Sequence, residues 1–233
     1  MFKTKKDIVY LILAGIFITN AVVAELIGAK LIQIGPFTMS IGIIPWPVVF
    51  LTTDLINEYY GKKGVRTLSL ITAGLIAYAF VVLFFAININ ASSVSLVTNE
   101  QFTAVFGQSM WIIVGSIVAF LVGQMIDVFI FWTLRNKTGG KLIWLRTTGS
   151  TAVSQFIDTF LVVGIAFWLP GKMTTEVFIN VALTGYTFKL LVAIGLTPLI
   201  YAGHALIDKY FGQEAQIVLK ETAEEVLHHK VKE

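Results

Sequence analysis

The stretch Val105–Leu134, VFGQSMWIIVGSIVAFLVGQMIDVFIFWTL, decides the fold. It is apolar almost throughout and longer than the roughly 20 residues a helix needs to cross the hydrocarbon core of a bilayer. A run of this length must tilt, kink or project beyond the membrane. One acid, Asp127, lies inside it, at a cost of roughly 2.5–3.5 kcal/mol for a charge at a helix centre. Residues four apart share a helix face, and the face of Asp127 continues back through Gly123, Ala119 and Gly115. Seams of small residues let helix backbones approach closely. Asp127 is therefore expected to look into a helix bundle, not toward lipid.

The rest of the chain repeats this design. At 56% hydrophobic and 13% charged residues, with a mean hydropathy of +0.81, the chain is too apolar and too poor in charge for an ordinary soluble domain. Five further apolar runs, near Ile8–Ala29, Ile41–Tyr60, Val65–Ile89, Thr148–Pro170 and Val177–Leu206, bring the expected crossings to six. The expectation is an all-α membrane protein. A bundle of six transmembrane helices occupies residues 1–208, and a partly amphipathic tail occupies 209–233. No convincing small-residue cleavage site follows the first apolar run, so that helix is expected to stay.

Basic residues orient the bundle. Lys3, Lys5 and Lys6, then Lys62, Lys63 and Arg66, then Arg135, Lys137, Lys141 and Arg146 fall on one side, against Lys30 and Lys172 on the other. The positive-inside rule puts both termini in the cytoplasm of a multi-pass inner-membrane protein. Topology thus accounts for the net charge of +3, and nucleic-acid binding is not expected. The chain has no cysteine, which excludes disulfides, thiolate-bound zinc and iron–sulfur clusters. His228-His229 in the tail has no accompanying ligands, so neither metal nor cofactor is expected.

Charges inside apolar runs mark solute paths. Besides Asp127 they are Glu25, Asp54, Asp158 and Lys189, and the last two lie on faces rich in Ser, Gly, Ala and Thr. Gln124 precedes Asp127 as Gln155 precedes Asp158, three residues apart, placing an amide and a carboxylate side by side. Such pairs suit a planar heterocycle, or each other. In the second run Trp46, Phe50, Asp54 and Glu58 recur every four residues, an aromatic-to-acidic stripe suited to a flat, nitrogen-rich ligand. Trp46 taken alone also suits a membrane anchor, and Glu58 a loop salt bridge with Lys62 or Lys63. Pro45-Trp46-Pro47 predicts a broken entry into the membrane, and Pro198 predicts a freed carbonyl near Ile194 and a kink. No phosphate loop for ATP is present.

These residues resemble the queuosine precursor transporters of the vitamin-uptake-transporter group. The resemblance lies in IPWPVVFLTTDLINEYYG at 44–61, Gly123-Gln-Met-Ile-Asp127, Gln155-Phe-Ile-Asp158-Thr with Phe167-Trp168, and Tyr186-Thr-Phe-Lys189, in order across most of the chain. It implies a six-helix inner-membrane importer of 7-deazaguanine bases, chiefly 7-cyano-7-deazaguanine, for queuosine synthesis in transfer RNA. It supports Asp54, Glu58, Gln124, Asp127, Gln155, Asp158 and Lys189 as substrate-binding positions; at Glu25 the family more often carries a neutral polar residue. The substrate-binding subunit of an energy-coupling-factor transporter and, less readily, an intramembrane aspartyl enzyme remain alternatives, and homodimerisation is left open.

Overall fold

The computed structural model describes residues 4–28, 30–35, 37–108, 110–138 and 142–230, with the side chains of 31, 37, 38, 110 and 223–230 left aside. Lys3, Ala29, Lys141 and the side chains of Val226, Leu227, His228 and His229 fall outside the described residues.

α1 (Lys5–Ile27) starts on a capping box in which the Thr4 hydroxyl accepts from the Asp7 amide and the Asp7 carboxylate accepts from the Thr4 amide. Its stripe of Val9, Leu13, Phe17, Ala21 and Ala24 is buried at helical spacing. A two-stranded antiparallel hairpin, β1 (Leu31–Ile34) and β2 (Phe37–Ser40), and a 3-10 turn (Ile41–Ile43) follow. The hairpin was not expected, since its eight strand residues lack a long alternating pattern.

α2 (Trp46–Ile87) begins directly after that turn. Pro45 is its N-cap and Pro47 lies in its first turn, where a missing N–H leaves no bond unmade. The expected break thus lies before the helix. Gly61 divides α2 into arms 46–60 and 62–87, with φ 70° and ψ −173°, a region open essentially to glycine alone. The Tyr60 hydroxyl donates to the Lys6 carbonyl at 2.8 Å and the Tyr10 hydroxyl to the Gly64 carbonyl at 3.2 Å, so the break is pinned against the start of α1.

α3 (Asn99–Phe106) is short and buries none of its residues. α4 (Met110–Thr138) and α5 (Ile143–Val163) form the largest helix interface of the molecule. α5 continues into a π-helical turn, Gly164–Trp168, which packs on Gly115: a Cβ there would lie 3.3 Å from the Ala166 amide nitrogen. α6 (Thr175–Gly195) and α7 (Thr197–Phe211) are separated at Leu196. The expected sixth span is two helices, because Pro198 has no N–H to continue the first. α7 runs through residue 208, so the backbone does not change at the expected domain limit.

α8 (Ala215–Lys230) packs Ala215, Val218 and Thr222 onto the bundle. The Thr222 hydroxyl donates to the Tyr59 carbonyl at 3.1 Å, and the Tyr59 hydroxyl donates to the Asp208 carboxylate of α7 at 2.7 Å. These contacts bind α7 and α8 to the end of the bundle where α2 is broken. Among the described residues five helices are long and apolar enough to cross a membrane, the second being the one divided at Gly61.

Candidate functional site

α4 carries a ladder of polar contacts from one end of the bundle to the other. Near its start Ser116 hydrogen-bonds the Glu25 carboxylate of α1. Two turns later the Gln124 amide donates to the Thr53 hydroxyl of α2 at 3.5 Å. Asp127 then accepts from Ser154 of α5 at 3.2 Å, with Asp54 of α2 as a charged neighbour. Near its far end Arg135 meets Glu58 of α2 at 3.2 Å, and Arg146 of α5 reaches the second oxygen of that carboxylate at 2.7 Å. From Ser116 to Arg135 the helix rises about 29 Å, close to the roughly 30 Å thickness of bilayer hydrocarbon.

The small-residue seam has the use expected of it. A Cβ on Gly123 would lie 3.3 Å from the Asp158 Cβ and 3.6 Å from its Oδ1. Ala119 is fully buried. Close approach of α4 and α5 sets Gln124 and Asp127 against Ser154 and Gln155, and these four, with Phe50, Thr53, Gly123 and Thr151, line one cleft. Three buried oxygens have no hydrogen-bond partner there: Gln124 Oε1, Asp127 Oδ2 and Gln155 Oε1. All three are acceptors, so the cleft is matched to a ligand that donates.

An adjoining cleft shares Phe50 and Thr151 and is completed by Asp54, Thr147, Thr148 and the α6–α7 break at Leu196. Counting their open sides, the two spaces measure about 240 and 210 Å³, below the roughly 300 Å³ at which small-molecule pockets begin. The bundle is closed in this conformation.

The structure brings some of the sequence candidates together and separates others. Phe50, Gln124, Asp127 and Gln155 share the first cleft and Asp54 lines the second. Trp46 stacks on Phe50, with ring centroids 5.9 Å apart, and meets Phe120 of α4 at 6.0 Å. It is therefore half-buried against the bundle core, at a level some 15 Å along α4 from Met110. Asp158 adjoins the first cleft only through Gly123 and is held by Lys189 of α6 at 2.7 Å. Glu25 lies outside both clefts, on the Ser116 rung, but within electrostatic reach of the Asp158–Lys189 pair.

Arg135 and Arg146 correct the expectation that both are loop charges. α4 and α5 extend to Thr138 and back to Ile143, so both guanidiniums lie in helices and are buried against Glu58. This buried pairing replaces the loop bridge to Lys62 or Lys63 considered for Glu58. Sequence reasoning missed Thr53, Thr147 and Thr151. The α5 pair was legible, because Thr147 and Thr151 stand one helical turn apart beside the Ser150, Ser154, Asp158 stripe.

Apolar helices long enough to span a bilayer, folded around a buried acid–amide cleft, define a multi-pass membrane transporter. The chain belongs to the family described as "Putative vitamin uptake transporter", whose profile matches residues 40–203, and this is a family of transporters, not enzymes. It is 30% identical over 198 residues to a Bacillus subtilis protein named "Probable queuosine precursor transporter", covering 80% of both chains. It is 30% identical over 160 residues to the Escherichia coli "Queuosine precursor transporter", covering 66% of each chain. A Haemophilus influenzae protein, "Probable queuosine precursor transporter", is 26% identical over 154 residues, covering 66% of this chain and 63% of its own. No solved structure matches the chain.

Proposed function

We propose that this protein imports queuosine precursors, 7-deazaguanine bases such as 7-cyano-7-deazaguanine, across the inner membrane. The observation that carries the substrate class is the trio of unpaired acceptors, Gln124 Oε1, Asp127 Oδ2 and Gln155 Oε1, in one cleft beside the Phe50 ring. A guanine-like edge presents adjacent N–H donors that one carboxylate accepts as a pair. Its flat face stacks on an aromatic ring. A phosphate or carboxylate solute would meet only repulsion from these oxygens. The names of the relatives support the same class.

In this reading Asp127 accepts the paired donors, Gln124 and Gln155 read the remaining polar groups, and the Phe50 ring, backed by Trp46, stacks on the base. Lys189 neutralises Asp158 beside them. Residues 41–60, the 3-10 turn with the first arm of α2, make one crossing and the arm 62–87 another, giving six crossings with α1, α4, α5 and α6. Both termini then lie on one side, which the loop lysines make the cytoplasm.

Uptake of radiolabelled 7-cyano-7-deazaguanine into vesicles containing this protein alone tests the reading. Saturable uptake is expected, with Asp127→Ala abolishing it while the variant still elutes as folded protein. Wild-type vesicles that take up no deazaguanine would overturn the substrate assignment.

A further inference from the structure

We infer that Glu58, Arg135 and Arg146 form the cytoplasmic gate of the solute path, and that α8 is the cover holding it shut. The inference rests on the transporter reading and goes beyond it by locating where the closed bundle opens.

The three charges stand in one layer, one from each helix that walls the clefts. Glu58 follows Asp54 by one turn of α2, Arg135 follows Asp127 by two turns of α4, and Arg146 immediately precedes the cleft residue Thr147 of α5. Successive contacts of α4 climb α2 in the same order, Gln124 to Thr53 and Arg135 to Glu58. They descend α5, Gly115 to Ala166, Gly123 to Asp158 and Asp127 to Ser154. All three charges therefore lie on the same side of the clefts, toward the end at which the loop lysines place the cytoplasm. Each residue is buried, and the two oxygens of Glu58 take one guanidinium apiece, at 3.2 and 2.7 Å. Rings back the layer, Trp132 against Arg135 at 4.6 Å and Phe131 against Arg146 at 5.7 Å.

Apolar side chains of similar volume would seal the bundle at least as stably, because buried ion pairs repay little more than their own desolvation. A charged layer differs in how it parts: its ions regain water once the helices separate. Two buried donors in it, Arg135 Nη1 and Trp132 Nε1, have no hydrogen-bond partner, and entering water would satisfy both. The moving part is the first arm of α2. It carries Phe50, Thr53, Asp54 and Glu58, and it is bounded by Pro45 at one end and by Gly61, at φ 70°, at the other. Element ends of this kind absorb the backbone change of a hinge.

α8 lies across that hinge. Arg135 donates to the Leu219 carbonyl at 3.4 Å, and the Thr222 hydroxyl donates to the Tyr59 carbonyl at 3.1 Å. A Cβ on Gly61 would lie 3.3 Å from the Thr222 Cγ2. A helix beyond the family-matched residues 40–203 thus holds both a gate arginine and the hinge.

The chain contains no cysteine, so Thr151→Cys places a single thiol in the wall common to both clefts. Its reaction with a charged, membrane-impermeant methanethiosulfonate is followed in inverted and right-side-out vesicles. In this parent the thiol should react slowly from the cytoplasmic face. Adding Glu58→Gln should raise that rate on the order of tenfold and adding Thr222→Val severalfold, with the rate from the opposite face unchanged. Thr222→Val leaves the ion layer whole, so the test stands if Glu58→Gln fails to insert. A protein merely loosened would react faster from both faces, and that result overturns the proposal. So does fast cytoplasmic reaction of the parent, or a cytoplasmic rate that neither variant raises. The measurement contains no base, so a wrong substrate assignment leaves it intact.

Discussion

Gly123 of α4 faces Asp158 of α5 so closely that a Cβ added to the glycine would lie 3.3 Å from the Cβ of the aspartate. Two polar stripes meet there because one helix has no side chain at the crossing. Gly123→Val should cost about 1–3 kcal/mol through overpacking and push Gln124 and Asp127 away from Ser154. Thermal unfolding in detergent and uptake should fall together; an unchanged melting temperature would count against the close contact.

Glu58 holds two arginines at the broken end of α2. Glu58→Ala leaves Arg135 and Arg146 facing each other in a buried layer, and removing one partner of a buried ion pair costs about 3–5 kcal/mol. Denaturant or thermal melts should show this as the largest single-residue loss among the polar groups. A loss of only a few tenths of a kcal/mol would mean that the layer is open to water.

Lys189 and Asp158 should behave as a pair. Lys189→Met strands a carboxylate that is 13% exposed at its side chain, and Asp158→Asn strands an ammonium that is 18% exposed. The double variant should recover stability relative to the sum of the singles by about 0.5–3 kcal/mol, the coupling of residues in contact. Strict additivity in a double-mutant cycle would show that the 2.7 Å contact contributes nothing net. Uptake by the double variant reports separately on whether the pair serves transport.

Gly61 should not tolerate a side chain. At φ 70° and ψ −173° an alanine is strained by about 1–3 kcal/mol, and its Cβ would also lie 3.3 Å from the Thr222 Cγ2 of α8. Gly61→Ala is expected to lower the melting temperature and to expose α8 to limited proteolysis. Protection equal to wild type would show that the turn can relax.

Much of the site was readable because helical periodicity is a local code. The small-residue seam of Gly115, Ala119 and Gly123 pointed Asp127 inward without reference to any other segment, and α4 does pack on α5 along it. The stripe from Trp46 to Glu58 was legible for the same reason, since residues four apart must share a face. The fate of each acid on its face was not. Gln124-Asp127 and Gln155-Asp158 have identical spacing, yet Asp127 meets Ser154 while Asp158 meets Lys189. The partner comes from whichever helix packs opposite, and spacing within one helix carries no trace of it.

Hydropathy and four-residue spacing by themselves determined that this chain is a bundle of membrane helices with acids turned inward, because burial in lipid constrains every residue of a span independently. Only the tertiary structure decided that Arg135 and Arg146 close on Glu58, that Trp46 packs against Phe50 and Phe120, and that Gln124, Asp127 and Gln155 share one cleft while Asp54 lines another. Those outcomes depend on distances between segments far apart in the chain, set by how closely α4 and α5 pack and where α2 and α6 break.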